Sequence, residues 1–192
     1  MLRDKMTIIG KFVAAGLIVC TAHTTGFSGT RTVEGDKRQS VVIYHADHFF
    51  HSVDGVCKEV TCNVVVDSAS DAILSVFISA PVTAFNSGNS SRDTTAMRAI
   101  ESTKYPRVEF VSDTVRCTSD STMMVSGKLD FHGVKRKISI NVTEAANLHS
   151  TVFDGEFHAA FSDFNIERPS LVFIPISDSF GVKFHVVLDQ RI

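Results

Sequence analysis

Three histidines, His45, His48 and His51, stand three residues apart, with Asp47 and Asp54 close by. Imidazole and carboxylate together make a ligand set for zinc, nickel or copper. The cluster is therefore a candidate metal site and, through a metal-bound water, a candidate hydrolase. Its spacing argues the other way, because residues three apart on a strand point to opposite faces. Tyr44 to Val53 also lacks the helical HExxH arrangement that would align a base. No GxSxG turn is present to raise a serine nucleophile. Asp67 and Asp71 flank a turn, where Asp serves the backbone. Catalysis is accordingly the weaker alternative, and neither a metal nor another cofactor is assigned.

The cysteines give a similar answer. Cys57 and Cys62 read as members of one strand, which would put them on opposite faces about 17 Å apart, too far for a bridge. A link from either to Cys117 stays open, and free thiols acting as small hydrophobes are the plainer reading. Nothing resembles a zinc or redox CxxC motif.

What could position any site is a set of strands. Apolar and polar residues alternate with period two over Ser40 to His45, Val56 to Asp67, Asp71 to Val82, Tyr105 to Arg116, Met123 to His132, Lys135 to Thr143, Thr151 to Phe161 and Phe180 to Asp189. In the clearest run, Val125, Gly127, Leu129 and Phe131 oppose Ser126, Lys128, Asp130 and His132, so one face is apolar and the other wet. His132-Gly133 supplies a tight antiparallel turn, with Gly giving the backbone freedom. Eight antiparallel strands with one apolar face can close on themselves, which removes sheet edges and leaves an interior for side chains or one small ligand. The expected fold is thus all-β, an extended eight-stranded antiparallel β-barrel favoured over a sandwich.

The third and fourth of these strands are separated by a polar loop and a short helical pattern ending near Lys104. Ser90 or Ser91 can cap that helix, Asp93 complements its dipole, and Ala96, Met97 and Ile100 make an apolar stripe fit to seal one end of the barrel. Pro106 then turns the chain out of the helix. The expected wall of the hollow comprises Val60, Val64, Val76, Ile78, Met97, Ile100, Val108, Phe110, Leu129, Phe131, Ile140, Phe157, Phe161, Val182 and Phe184. Arg92, Asp93 and Arg168 are the candidates for its mouth, with Arg92-Asp93 also readable as an ion pair at the helix start.

Composition narrows the partners. Nineteen Lys plus Arg against 21 Asp plus Glu leave a net charge of -2, so no strong field draws nucleic acid, which is excluded as an expected partner. An apolar fraction of 44% with 15 Phe and no Trp supports a sizeable interior.

At the amino terminus, Arg3, Lys5 and Lys11 precede the apolar stretch Phe12 to Ala22. That stretch is shorter than the roughly 20 residues a spanning helix needs and within the roughly 7 to 15 of a secretory signal. Residues 1–22 are read as a signal peptide cleaved before His23, 23–39 as a flexible mature terminus, and 40–192 as one domain, periplasmic or secreted. Acylation at Cys20 is the minor alternative, since Val19 is bulky where lipoprotein sites are small.

Several motifs then occur in order: Ser87-Gly88-Asn89-Ser90-Ser91-Arg92-Asp93, Met97, Lys104-Tyr105-Pro106-Arg107-Val108-Glu109-Phe110, and Ser126-Gly127-Lys128-Leu129-Asp130-Phe131-His132-Gly133-Val134-Lys135. As a set, over roughly residues 40 to 189, they resemble the YceI family of exported, lipocalin-like polyisoprenoid-binding proteins. Arg168-Pro169-Ser170-Leu171 resembles a segment found in part of that family. One departure is visible, for many relatives have His shortly after the Arg-Asp pair, where this chain has Thr94 and Thr95. The resemblance implies an extended eight-stranded antiparallel barrel with a lipid tail in its apolar interior.

The expected function is therefore noncatalytic binding of a polyisoprenoid or similar long-chain lipid, with transient membrane contact. A metal protein using His45, His48 and His51 is one alternative. A structural or interaction protein with a filled core is another, in which the run Leu171 to Ile176, apolar on both parities, covers the barrel or joins a homodimer.

Overall fold

The structure, a computed structural model, describes residues 29–49, 51–168, 170–171 and 174–189, with the backbone alone for Leu171 and Ile174. The expected signal segment, the acylation alternative at Cys20 and residues 23–28 lie outside the described residues.

The described residues form twelve strands: β1 (Thr30–Glu34), β2 (Val41–His48), β3 (His51–Cys57), β4 (Thr61–Asp67), β5 (Ile73–Pro81), β6 (Arg107–Ser119), β7 (Thr122–Phe131), β8 (Val134–Ala146), β9 (Thr151–Ala160), β10 (Ser170–Leu171), β11 (Ile174–Pro175) and β12 (Ser179–Leu188). One helix, α1 (Ser90–Ala99), joins β5 to β6. Ten strands make a single sheet in the order β1-β4-β5-β6-β7-β8-β9-β12-β2-β3, and β10 and β11 make a small ribbon. Every pairing is antiparallel.

The eight-strand expectation is corrected at two places. The run Val56 to Asp67 is not one strand, because the chain leaves β3 at Lys58 and re-enters the sheet as β4 on the other side, paired with β1 and β5. Cys57 and Cys62 accordingly belong to different strands. Thr30–Glu34, expected within a flexible terminus, is a strand in register with β4, Val33 opposite Val64 and buried. With these two added, α1 follows the fifth strand instead of the third.

The sheet curls into a half-barrel, with β1 and β3 as its edges, each fastened to a distant part of the fold. Beyond β1, the Gly35 amide donates to Cys62 O at 2.9 Å and the Asp36 amide to Val187 O at 2.7 Å. Val56, on β3, exchanges both backbone hydrogen bonds with Asn86 in the loop after β5, at 2.9 and 3.0 Å. These ties satisfy edge groups that would otherwise offer a template to another chain.

Alternation sorts the faces as the sequence reading expects. Met123, Val125 and Leu129 of β7 and Cys62, Val64 and Val66 of β4 are buried inward. At the β7–β8 turn both His132 (φ 53°) and Gly133 (φ 73°) are left-handed, which matches the right-handed twist of a two-residue hairpin. The His132 ring packs against Tyr105, centroids 4.5 Å apart and planes tilted by 60°, with Nδ1 2.9 Å from Phe164 O and Nε2 3.1 Å from Glu101 Oε2. One residue thus pins the hairpin to the chain following α1 and to the short 3-10 turn Phe161–Phe164.

Candidate functional site

The half-barrel surrounds a cavity of about 630 Å³. Its centre is hollow because inward side chains line a space too wide for them to interdigitate across. Two glycines show how rings are accommodated on the wall. The Tyr44 ring lies over Gly55, its cross-strand partner on β3, and the Phe184 ring lies over Gly155, its partner on β9. Each glycine leaves the space that its neighbour's ring occupies.

All the wall residues expected from the sequence line this cavity except Val60. Val60 packs instead in a separate cluster with Val42, Cys57 and Ala80, directly after the turn that ends β3. Sequence reasoning missed Tyr44, Phe85, Phe153 and Phe180, which also line the cavity. Phe153 and Phe180 stand on the same inward parity as Phe157 and Val182, so alternation could have found them. Phe85 is placed by a loop, and no periodicity signals it.

The lining is polarised. Toward the far end stand Met123, Val125, Ile140, Val142, Phe153 and Val186, all buried and apolar. The exposed lining residues, His51, Asn89, Ser91, Thr95 and Ser170, come from the start of β3, α1 with its N-cap, and the β10–β11 ribbon, which together border the opening. A backbone hydrogen bond from Ser177 N to Asp47 O, 2.7 Å, ties the segment after the ribbon to β2.

At α1, the N-cap is Asn89, whose Oδ1 accepts from Arg92 N at 3.0 Å, and not Ser90 or Ser91. Arg92 and Asp93 do not pair with each other. Both turn to Ser87, Arg92 donating from Nε at 2.9 Å to Oγ and from Nη2 at 2.7 Å to the carbonyl, while Asp93 accepts from the Ser87 amide and hydroxyl. Arg92 lines the cavity; Asp93 is not among its lining residues. Thr94 and Thr95 return their hydroxyls to the carbonyls of Ser90 and Ser91. Ala96, Met97 and Ile100 face the cavity as expected of a sealing stripe. No α1 residue is fully buried. Arg168 braces the loop before β12, donating to Ile176 O at 3.1 Å, and is not part of the lining.

The three histidines are split between the faces of the hairpin. His45 is outside, its Nδ1 2.6 Å from Asp54 and its Nε2 3.2 Å from Asp47. The hydrogen bond to Asp54 holds its pKa above the usual imidazole value. His48 and His51 are inside, cross-strand partners with ring centroids 5.5 Å apart, both in the lining. Among the described residues no group of three or more His, Cys, Asp or Glu could hold a metal ion. Period two, which separates positions 45 and 48, is the reason.

Tyr44 is half-buried beside the opening, and burial, with the Asp93 carboxylate adding to it, pushes its phenol up. Cys57, Cys62 and Cys117 are free thiols, so the expected option of a bridge to Cys117 is not realised. Cys62 lines the cavity, and burial pushes its thiol up to about 12. Hydrogen-bonding capacity sits at the opening and apolar surface behind it, an arrangement suited to a long apolar molecule with one polar end.

Residues 34–188 match the YceI-like domain. A UPF0312 protein of Pseudomonas putida is 26% identical over 114 residues, 58% of this chain and 59% of that protein, so the match spans less than two thirds of the relative's length. Among solved structures, BcnA of Burkholderia cenocepacia aligns with a TM-score of 0.72 at 24% identity, covering 80% of this chain and 98% of that one. A Campylobacter jejuni YCEI protein aligns with a TM-score of 0.63 at 17% identity, covering 73% and 86%. A polyisoprenoid binding domain from Saccharophagus degradans aligns with a TM-score of 0.62 at 15% identity, covering 82% and 98%. At these identities the structural matches establish the shared fold.

Proposed function

This chain belongs to the YceI-like family, and on that premise we propose that it is an exported, noncatalytic binding protein holding one polyisoprenoid or similar long-chain lipid in the hollow of its sheet. The observation that carries this reading is the cavity of about 630 Å³, lined mainly by apolar side chains, with its polar lining drawn from the β2–β3 hairpin, α1, Ser170 and Glu109 of β6. The name of the Saccharophagus domain, a polyisoprenoid binder of like fold, supports the ligand class.

Energetics favour a carrier over a tight sequestering agent. At about 0.8 kcal/mol per CH2, a chain of about 40 carbons drawn from water would release roughly 30 kcal/mol, above the ceiling of about 20 for noncovalent binding. Such a lipid rests in a membrane, already out of water, so moving it into a dry cavity is nearly neutral and shape selects the ligand. Exchange then requires contact with a bilayer. Phe49, 80% exposed at the β2–β3 turn beside the opening, is the side chain this reading assigns to that contact.

Size sets a limit as well. At about 30 Å³ per carbon-sized group, the share of one liquid water, the cavity takes on the order of 20 such groups. The test is uptake of labelled prenyl alcohols of graded length by delipidated protein, with native mass spectrometry of protein purified from its own envelope. Affinity should rise with length and level off near about 20 carbons. If no prenyl or fatty chain is taken up, the proposal fails.

A further inference from the structure

We propose that α1 is a gate over the cavity, anchored at its start and latched at its end by Glu101 and His132, and that lipid enters and leaves as the latch opens. This rests on the lipid-binding reading and concerns how the same cavity is reached. Before α1, Asn86 exchanges backbone hydrogen bonds with Val56 of the edge strand β3, and the Phe85 ring packs beside Tyr44 of β2, centroids 5.7 Å apart. After α1, Glu101 and Tyr105 reach His132 in the β7–β8 turn. The helix therefore crosses from an edge of the half-barrel to the middle of its sheet, over the hollow. Ala96, Met97 and Ile100 belong to the cavity wall, yet no α1 residue is fully buried. This piece of wall is held at its ends more than by core packing, and such elements are the ones that open locally.

The two ends are held differently. At the start, the backbone pair with Val56 is joined by Arg92 and Asp93, both turned back onto Ser87. At the end, the hold on the hairpin includes a side-chain contact, Glu101 Oε2 to His132 Nε2 at 3.1 Å, and Glu101 is half-exposed. Water screens such a pair, so the trailing end is the weaker hold. Residues 101–105 form a compact turn in which the amides of Lys104 and Tyr105 both donate to the Glu101 carbonyl, at 2.8 and 3.0 Å. Unwinding that turn gives the slack for the helix end to lift while Pro106 and β6 stay in place.

Backbone strain marks the latch. The Glu101 amide donates to Arg98 O at 3.1 Å and the Ser102 amide to Met97 O at 3.0 Å, the Schellman ending of a helix. Glu101 is the left-handed residue of that motif, with φ 47°. Glycine is the usual choice there, because a Cβ is costly in this conformation. Glutamate supplies what glycine lacks, a carboxylate that reaches His132. His132 is itself left-handed, with φ 53°, and its Nδ1 donates to the carbonyl of Phe164, directly before Asn165 with φ 56°. Four non-glycine residues among those described have positive φ, and three of them converge on this junction. Strained residues persist only where their surroundings hold them, and they gather at switch regions. Neither Glu101 nor His132 is among the cavity-lining residues, so substituting Glu101 leaves the lining side chains as they are.

The test follows two fluorescent probes, cis-parinarate and a dansylated farnesol, by stopped flow as they bind to and leave delipidated protein. In Glu101→Gly, which suits the left-handed position and removes the latch, association and release should both quicken about fivefold, the weight of one half-exposed charged contact. Kd should stay within about twofold, because the latch is lost from free and bound protein alike. In hydrogen exchange the α1 amides should lose protection while those of β7 keep theirs. Unchanged rates, or unchanged exchange in α1, overturn the gate and leave the lipid reading standing. Faster release with unchanged association and a weaker Kd also overturns it, since Glu101 would then only support the wall. If Glu101→Gly fails to fold, Glu101→Asn takes its place with the same expectations, for Asn also suits the left-handed position and is too short to reach the ring. A parent protein that takes up neither probe overturns the lipid reading, and the gate with it.

Discussion

The ring of Phe184 lies over Gly155, its cross-strand partner, in the place a larger residue's side chain would occupy. Gly155→Ala adds a Cβ that overlaps Phe184 Cζ, so the ring must move toward the hollow. The expected cost is about 1–3 kcal/mol, as for overpacking elsewhere, together with reduced uptake of long chains. In Gly155→Ala/Phe184→Ala the clash with the ring is gone and only the tight approach to Asn141 O, 3.1 Å, remains, so the two effects should be strongly non-additive in urea unfolding. Additive effects would show that the ring and the glycine are not coupled.

Phe157 and Phe164 separate wall from core. Phe164 is fully buried, and Phe157 is half-buried on the cavity. Phe164→Ala should cost about 3–5 kcal/mol. Phe157→Ala should cost less, because its ring already borders open space, and should change ligand uptake more than melting temperature. Thermal melts paired with a prenyl titration check both, and equal destabilisation by the two would contradict the distinction.

The thiols should differ in reactivity. Thiolate is the reactive form, and burial raises the pKa of Cys57 and pushes Cys62 up to about 12, whereas Cys117 is exposed. Iodoacetamide followed by peptide mapping should label Cys117 in the folded protein, and Cys57 and Cys62 only after denaturation. Rapid labelling of Cys62 in the native state would mean that the cavity admits water freely.

On the outer face, Asp54 holds the His45 pKa above its unfolded value. A raised histidine pKa contributes stability that is fully present below the unfolded value, near 6.5, while Asp54 is ionised. That contribution is lost as pH rises through the higher folded value. The stability difference between the parent protein and Asp54→Asn should therefore be larger in mildly acidic buffer and fade on the alkaline side. Denaturant titrations across that range, with the His45 titration followed by NMR, measure it. A difference that grew with pH would have the wrong sign.

Phe49 provides the membrane test. Phe49→Ser should slow transfer of a fluorescent prenyl chain to vesicles while leaving its affinity in solution unchanged, since Phe49 is exposed and is not among the cavity-lining residues. An unchanged transfer rate would remove the assignment of this turn to bilayer contact.

The sequence by itself determined which side chains face inward along a strand, because period two is a property of the backbone and needs no partner. Val125, Leu129, Phe157 and Val182 were legible for that reason, as was the His132-Gly133 turn. It also separated His45 from His48, since an odd step along a strand changes faces. Tertiary structure decided what depends on neighbours. The apolar run Val56 to Asp67 became two strands because β4 found its partners on the far side of the sheet, and Thr30–Glu34 became a strand because β4 supplied a ladder for it. Val60 fell outside the cavity because the turn at Lys58 carried it into another cluster. Whether inward residues meet or leave a hollow depends on how far the sheet curls, a property of all its pairings together and of no single run.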